Sequence, residues 1–599
     1  MTTNINHAQT LSKSNFKIAQ SCPIKLYYKK HGYPSADDGN EYLELLAEGG
    51  YVIGLMAKMY YPGGIEIDTS RGIDVAAEQT AELLRSDNVV LFEAVLYSNN
   101  KLVAIDILEK VGNHFNIIEV KSKGVSEDQK FGKDWQEHLE DITYQKLTLQ
   151  ECYPDSTIDS YLFVPNKSAT TDIDNLYSQF KTIDKSNEHG FQSFEIQFDG
   201  DPAAIVQDNL LIKVNVNSHV EALEKVVKKS ADNHIAQLKS GEKPIVQITK
   251  DCFNCEYTTQ NGDTLSGFDE CWAHIDKPEH HIRDLYQLGR VKRGTGNLAN
   301  SLIQENRVSL SDIPLECLTM SYKTRQKIQI ANTLANTEWY SEYLGANMEL
   351  APYPHHFIDF ETITTALPFH KGLRPYEVVA FQWSCHTVES KGADPVHSEW
   401  LNTDPTYPNF RFAESLYKQL GSEGTIFMWA THENTTLRDI YFKMLEQKYD
   451  NPELMDWLKD IVKFNDKDLG KLVDMNKMTL EFYFHPMMKG KTSIKSVLPA
   501  VLSATKSSNI EKWLKEFTPD LSLLSRDDEG TIENPYKNLP NDNGINVSEG
   551  TGAMRGYIEL LYGDENRKAD FDTALLRYCK LDTLAMVIIW EHWETLVRS

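Results

Sequence analysis

Apolar and polar positions alternate in three short runs, 89–97, 102–108 and 115–121, all rich in Val, Ile and Leu. A period of two predicts half-buried strands, and the Gly112-Asn113 gap between the last two is short enough for a hairpin. Residues two apart in a strand share a face, so Glu119 and Lys121 point the same way. Asp106, flanked by Ile105 and Ile107, lies on the partner strand, and Glu93 lies on the first strand. Helical spacing of apolar residues precedes this meander. It starts at Cys22-Pro23, runs through 41–60 to the turn at Tyr61-Pro-Gly-Gly64, and resumes over 74–85. After the meander, 135–149 reads as a helix carrying Asp141, Tyr144 and Gln145, and 161–164 as an apolar strand.

The second half opens on a strand over 355–362, which sets Asp359 and Glu361 on one face and Ile358 and Phe360 on the other. Residues 424–431 read as a buried strand, followed by Glu433 at the opening of a helix through 441. Residues 471–474 resemble another strand end. The segment 571–596 reads as a long helix, with Tyr578 and Asp582 four apart and so on one face. The polar, acidic stretch 525–552 reads as a surface insertion. Residues 289–297, basic and glycine-containing, read as a solvated linker or a phosphate cradle.

Length and charge narrow the classes. At 599 residues, two or three domains are expected. A net charge of −26 excludes a protein that coats nucleic acid by overall basicity. It does not exclude a nuclease, whose metals and local lysines offset phosphate repulsion at the site. The polar start and the lack of a long apolar run predict a cytoplasmic chain with no membrane partner. Eight cysteines are too few for a disulfide scaffold. Cys252 and Cys255 form a C-x₂-C, Cys271 follows, and Cys22 stands near the start; four such thiolates can hold zinc or an iron–sulfur cluster. Cys152, Cys317, Cys385 and Cys579 read as core residues.

The two carboxylates Asp106 and Glu119 with the ammonium of Lys121 can hold a divalent metal and polarise a water for phosphodiester attack. Glu-x-Lys by itself is also an ordinary cross-strand ion pair. An isolated carboxylate within Ile-Asp-Ile demands a partner. On the second-half strand, Asp359 and Glu361 would repel one another unless a cation lay between them. Lys489, Lys491 and Lys495 form a basic run that either tracks a substrate backbone or is a solvated face.

The first-half pattern resembles the RecB-like branch of PD-(D/E)XK nucleases. It shares the helix, the meander with Asp…Glu-x-Lys, the helix with Tyr-Gln, and one early cysteine with three late ones. The resemblance implies that Asp106 and Glu119 ligate metal, Lys121 is the catalytic lysine, and Gln145 or Tyr144 is the downstream helix motif. It also implies that Cys22, Cys252, Cys255 and Cys271 ligate a [4Fe–4S] cluster. Over 351–599, Asp-x-Glu, an acid after a later strand and Tyr-x₃-Asp resemble the DnaQ-like DEDD exonucleases, tyrosine subtype. That resemblance implies that Asp359, Glu361, Glu433 and Asp582 bind two metals and that Tyr578 orients the attacking water. Glu433 stands where the family usually has Asp.

The reading is an α/β chain in three parts. Residues 1–288 are a PD-(D/E)XK restriction-endonuclease-like domain with an iron–sulfur staple, 289–350 a helical connector, and 351–599 an RNase H-like domain. The expected activity is Mg²⁺- or Mn²⁺-dependent nucleic-acid degradation, with DNA bearing free ends or single strands favoured over RNA. Repair or antiviral defence, with protein partners from such a system, is the expected setting. The other class kept open is a nucleic-acid-binding assembly protein with one or both sites inactive.

Overall fold

In the computed structural model, β1 (Leu11–Ser12) leads directly into α1 (Lys13–Ser21), whose first turn is capped by the Ser12 hydroxyl accepting from the Asn15 amide. Pro23 then opens α2 (Pro23–Lys30), where its missing N–H costs nothing. After α3 (Glu41–Met59), β2 (Ile65–Glu66) and α4 (Ile73–Leu83) come β3 (Asn88–Ser98), β4 (Lys101–Val111) and β5 (His114–Val120). These three pair antiparallel where the alternation predicts them. Helix α5 (Gln136–Cys152) crosses to β6 (Thr157–Pro165), parallel to β5, and β7 (Leu211–Asn215) and α6 (Asn217–Ser240) follow.

The resulting mixed sheet runs β2-β3-β4-β5-β6-β7, with β1 parallel to the start of β4. One face packs on Trp135, Leu139, Ile142 and Leu149 around α5, the other on Ile53, Met56 and Ala57 of α3. Glu93 is bypassed by the ladder: Phe92 pairs with Ile107 and Ala94 with Ile105, and Glu93 takes φ 54°. The register is the same on either side, so this is a local break in the pairing opposite Asp106 and not an inserted residue.

The second sheet is built from β8 (His355–Ile363), β9 (Val379–Val388), β10 (Val396–Leu401), β11 (Thr425–Met428) and β12 (Leu472–Asp474). Its order is β10-β9-β8-β11-β12, antiparallel on one side of β8 and parallel on the other. Ile358 and Phe360 face a core made with α7 (Asn409–Leu420), α8 (His432–Gln447) and α9 (Pro452–Ile461). Phe357, on the opposite face, stacks on Phe427 and meets Trp590 of the long C-terminal helix α10 (Lys568–Arg598). Asp359 and Glu361, which alternate with Ile358 and Phe360, therefore lie on the α10 side.

By contact the chain divides into two units, 1–247 with 255–271 and 365–377, and 248–254 with 272–364 and 378–599. The structure describes residues 6–598 except 185–193, 260–264, 466, 467, 469, 520, 521, 529, 542 and 546. Among the described residues, no helix is long and apolar enough to cross a membrane.

Two segments differ from expectation. Residues 289–297 are not a solvated linker: a two-stranded hairpin, Lys292–Arg293 with Gly296–Asn297, is anchored by buried Leu288, Val291 and Leu298. The stretch 525–552 is not a surface insertion either, because Ile532, Tyr536, Leu539, Ile545 and Val547 are buried. Its polar composition hides five apolar anchors spaced among solvated residues.

Candidate functional site: two carboxylate clusters

In the second unit, Glu433 opens α8 immediately after β11, and Tyr578 and Asp582 lie one turn apart on α10. All four acids singled out in the sequence influence one another electrostatically: Asp359 feels Asp582, Glu361 and Glu433. Glu361, Glu433 and Asp582 are buried, and one Glu433 carboxylate oxygen, Oε2, has no hydrogen-bond partner. Burial, reinforced by neighbouring acids, pushes Asp359 and Glu361 well above the carboxylate range. Burial with Asp474 and Asp582 pushes Glu433 up to about 8. Asp582 is raised by burial only to about 6, because the Tyr536 hydroxyl donates to its Oδ1 and Lys495 lies nearby.

Lys495 Nζ lies 5.0 Å from the ring centroid of Tyr536 and 5.2 Å from that of Tyr578, a cation–π arrangement. Burial and Asp582 raise both phenols, so they stay protonated. The Cys579 thiol donates to Asp359 Oδ2 at 3.4 Å.

This cluster fits a divalent cation. Ligand atoms of Asp359, Glu361 and Cys579 lie within 4.8 Å of one another, and crowded, desolvated acids with an orphaned oxygen are stabilised by added positive charge. Cys579, expected to be plain core, borders the site. Tyr536 was not legible as a site feature, its one sequence signal being an aromatic residue inside a polar stretch. Lys495 was legible only as part of a basic run, not as a neighbour of Tyr536 and Tyr578.

The first unit holds a different cluster. Glu119 is fully buried, with Lys121 Nζ 2.6 Å from its Oε1 and Gln145 Nε2 2.6 Å from its Oε2. Lys121 also reaches Asp141 at 3.0 Å. Asp106 accepts from the Val120 amide at 2.7 Å. Lys13, the first residue of α1, lies 3.1 Å from Glu119 Oε1 and 3.6 Å from Asp106 Oδ1. Burial alone would raise Glu119, but Lys121 and Lys13 overcome it and hold the carboxylate well below its usual range. Asp106, raised by burial and Glu119, is pushed up to about 7.

Of the two downstream candidates, Gln145 faces the site. Tyr144 is a packing residue, stacked on Phe16 at 4.5 Å with its hydroxyl donated to the Leu11 carbonyl. Glu93 pairs with Lys58 at 3.7 Å. Lys13 went unread because its position beside Asp106 depends on β1 pairing with β4, a contact some ninety residues apart in sequence. The Lys13 ammonium thus lies against both acids that the resemblance implies as metal ligands.

The cysteines divide between the units. Cys22, Cys255 and Cys271 all pack against one cluster of Ile24, Tyr28 and Tyr257, with the Tyr28 hydroxyl 3.2 Å from Cys271 Sγ. Cys252 lies in the second unit, its Sγ 3.5 Å from the Thr249 amide.

These features define an α/β protein with a buried four-carboxylate cluster on one mixed sheet and a lysine-compensated cluster on the other. A family model described as a domain of unknown function (DUF2779) matches residues 356–493, which spans Asp359, Glu361 and Glu433 and ends before Tyr578 and Asp582. No curated protein and no solved structure matches the chain.

Proposed function

We propose that the protein is a metal-dependent nuclease whose second unit is an RNase H-like, DnaQ-type 3′–5′ exonuclease acting on single-stranded or end-bearing DNA. The observation that carries this reading is the convergence of Asp359, Glu361, Glu433 and Asp582 in a buried, mutually repelling cluster beside Tyr578. Mg²⁺ or Mn²⁺ held by those four acids would supply the charge that offsets the phosphate during hydrolysis. Tyr578, kept protonated, orients the attacking water through its hydroxyl. Tyr536 fixes Asp582 by donating to it, and Lys495 places a positive charge beside both phenols.

The test is incubation of the purified protein with 5′-labelled DNA and RNA strands, with and without a chelator. Shortening of DNA from 3′ ends in Mg²⁺ or Mn²⁺ is the expected result. Shortening of RNA alone would make this an RNA exonuclease, and no shortening of either would reject the nuclease reading.

The first unit, read as PD-(D/E)XK-like, supports a second role. Asp106, Glu119 and Lys121 have the residue types of a cutting site, but the Lys13 ammonium lies against both acids and Lys121 against Glu119. We assign it no metal-dependent step and read it as a site that holds the strand. Repeating the assay in an Asp359→Ala background checks this: residual metal-dependent cleavage that disappears with Glu119→Gln would make the first site a cutter.

The apolar surround shared by Cys22, Cys255 and Cys271, three of the four thiolates that the resemblance implies as ligands, supports a [4Fe–4S] cluster, since thiolate is the ligand such clusters take. Protein purified without oxygen is expected to be brown, to contain iron and sulfide, and to bleach in Cys255→Ser. A colourless protein carrying one zinc and no iron would reject the cluster.

A further inference from the structure

Next to Lys121 the first unit opens into a cavity of about 380 Å³ bordered by Lys121, Lys123, Lys167, His138, Gly124 and Tyr376. In a chain of net charge −26, this wall carries three lysines and no carboxylate. The backbone holds it in place. Lys167 N donates to the Val125 carbonyl at 2.9 Å, and Val125 N donates to the Pro165 carbonyl at 2.9 Å. The Tyr376 hydroxyl donates to the Ser122 carbonyl, and Lys167 Nζ lies 5.3 Å from the Tyr376 ring centroid.

Gly124 makes the close approach feasible. A Cβ there would come within 2.9 Å of Lys167 Cε and 3.1 Å of Tyr376 Cδ2. Tyr376 itself takes φ 66°, a left-handed conformation uncommon for a bulky residue and kept only where the surroundings enforce it. His138, in the same wall, has a buried Nδ1 with no hydrogen-bond partner. Burial and the nearby Lys121 lower this histidine to about 4, so it is neutral near pH 7 and can donate without adding charge.

The Lys121 ammonium is already shared by Glu119 and Asp141, and that of Lys123 by Asp134. Lys167, exposed, faces the cavity over an aromatic ring.

We propose that this cavity binds a backbone phosphate of a single-stranded polynucleotide, with Lys167 as its principal cation and Lys123 and His138 as further donors. The inference rests on the reading of the first unit as the part that holds the strand. A lysine here acts as a point charge toward phosphate and displaces one condensed counterion on binding. Gly124 and Tyr376 shape the wall.

The test is fluorescence anisotropy with a labelled single-stranded oligonucleotide and the full-length protein, in chelator so that nothing is cut. Lys167→Ala is expected to weaken binding about tenfold at 0.1 M salt and to lower the slope of log affinity against log salt by about 0.7, the single-strand value for one phosphate contact. Lys167→Arg should retain both, and Lys228→Ala, on the exposed face of α6, should change neither. Unchanged binding in Lys167→Ala, or an equal loss in Lys228→Ala, would overturn the assignment. Inorganic phosphate that competes as strongly as the strand at matched phosphate concentration would make this a free-phosphate site and also overturn it. Because the readout is binding, a protein that fails to cut leaves this test standing. A negative result here leaves the exonuclease reading untouched.

Discussion

Replacing Asp359 with alanine is expected to lower 3′–5′ exonuclease rate by several orders of magnitude, while Tyr578→Phe costs about 10²-fold, typical of a group that positions a proton-bearing reactant. On the proposed reading the acids dominate because they would hold the metal charge that stabilises the reaction, whereas the phenol would only orient a water. A time course on 5′-labelled strands reads both variants, and an unchanged product ladder in Asp359→Ala would remove the second unit as the exonuclease.

The same residue should show the opposite effect on stability. Acids whose folded pKa is raised bind more protons folded than unfolded, so metal-free stability falls as pH rises through the window from about 4.5 to about 8 that Glu433 defines. In chelator at pH 8, Asp359→Asn relieves part of that repulsion and should melt several degrees higher than the native chain. Such a trade of activity against stability is what a crowded functional cluster predicts.

Lys121→Ala is expected to destabilise the first unit by about 3–5 kcal/mol, the cost of leaving a buried charge without its partner. Lys121 bridges fully buried Glu119 and buried Asp141 at 2.6 and 3.0 Å, and Lys13 alone cannot compensate both. The loss should be larger at pH 8 than at pH 5, because protonation of Asp141, already raised by burial and Glu119, substitutes for the missing cation. Thermal melts across pH measure this, and Lys121→Ala with Asp141→Asn should recover much of the loss. A melt indistinguishable from the native chain at pH 8 would show that the lysine carries no such burden. A strand-face lysine looks expendable on the chain, and its burial between two acids makes it otherwise.

Local periodicity was enough to determine much of the protein. Alternation over 89–121 fixed the meander and put Glu119 and Lys121 on one face, since a strand's period of two depends only on its own residues. The same rule set Asp359 and Glu361 apart from Ile358 and Phe360, and helical spacing put Tyr578 and Asp582 together. What the sequence alone could not determine was which groups from distant segments meet. Lys13 reaches Glu119 only because β1 pairs with β4. Tyr536 reaches Asp582 only because a polar-looking stretch buries its few apolar residues. The 365–377 segment belongs to the first unit although it connects two strands of the second. Contacts of that kind are set by packing between segments far apart in the chain, and no local pattern encodes them. They also set the electrostatics of each cluster: Lys13 and Lys121 lie against the acids of one, while the four acids of the other crowd together with Lys495 nearby.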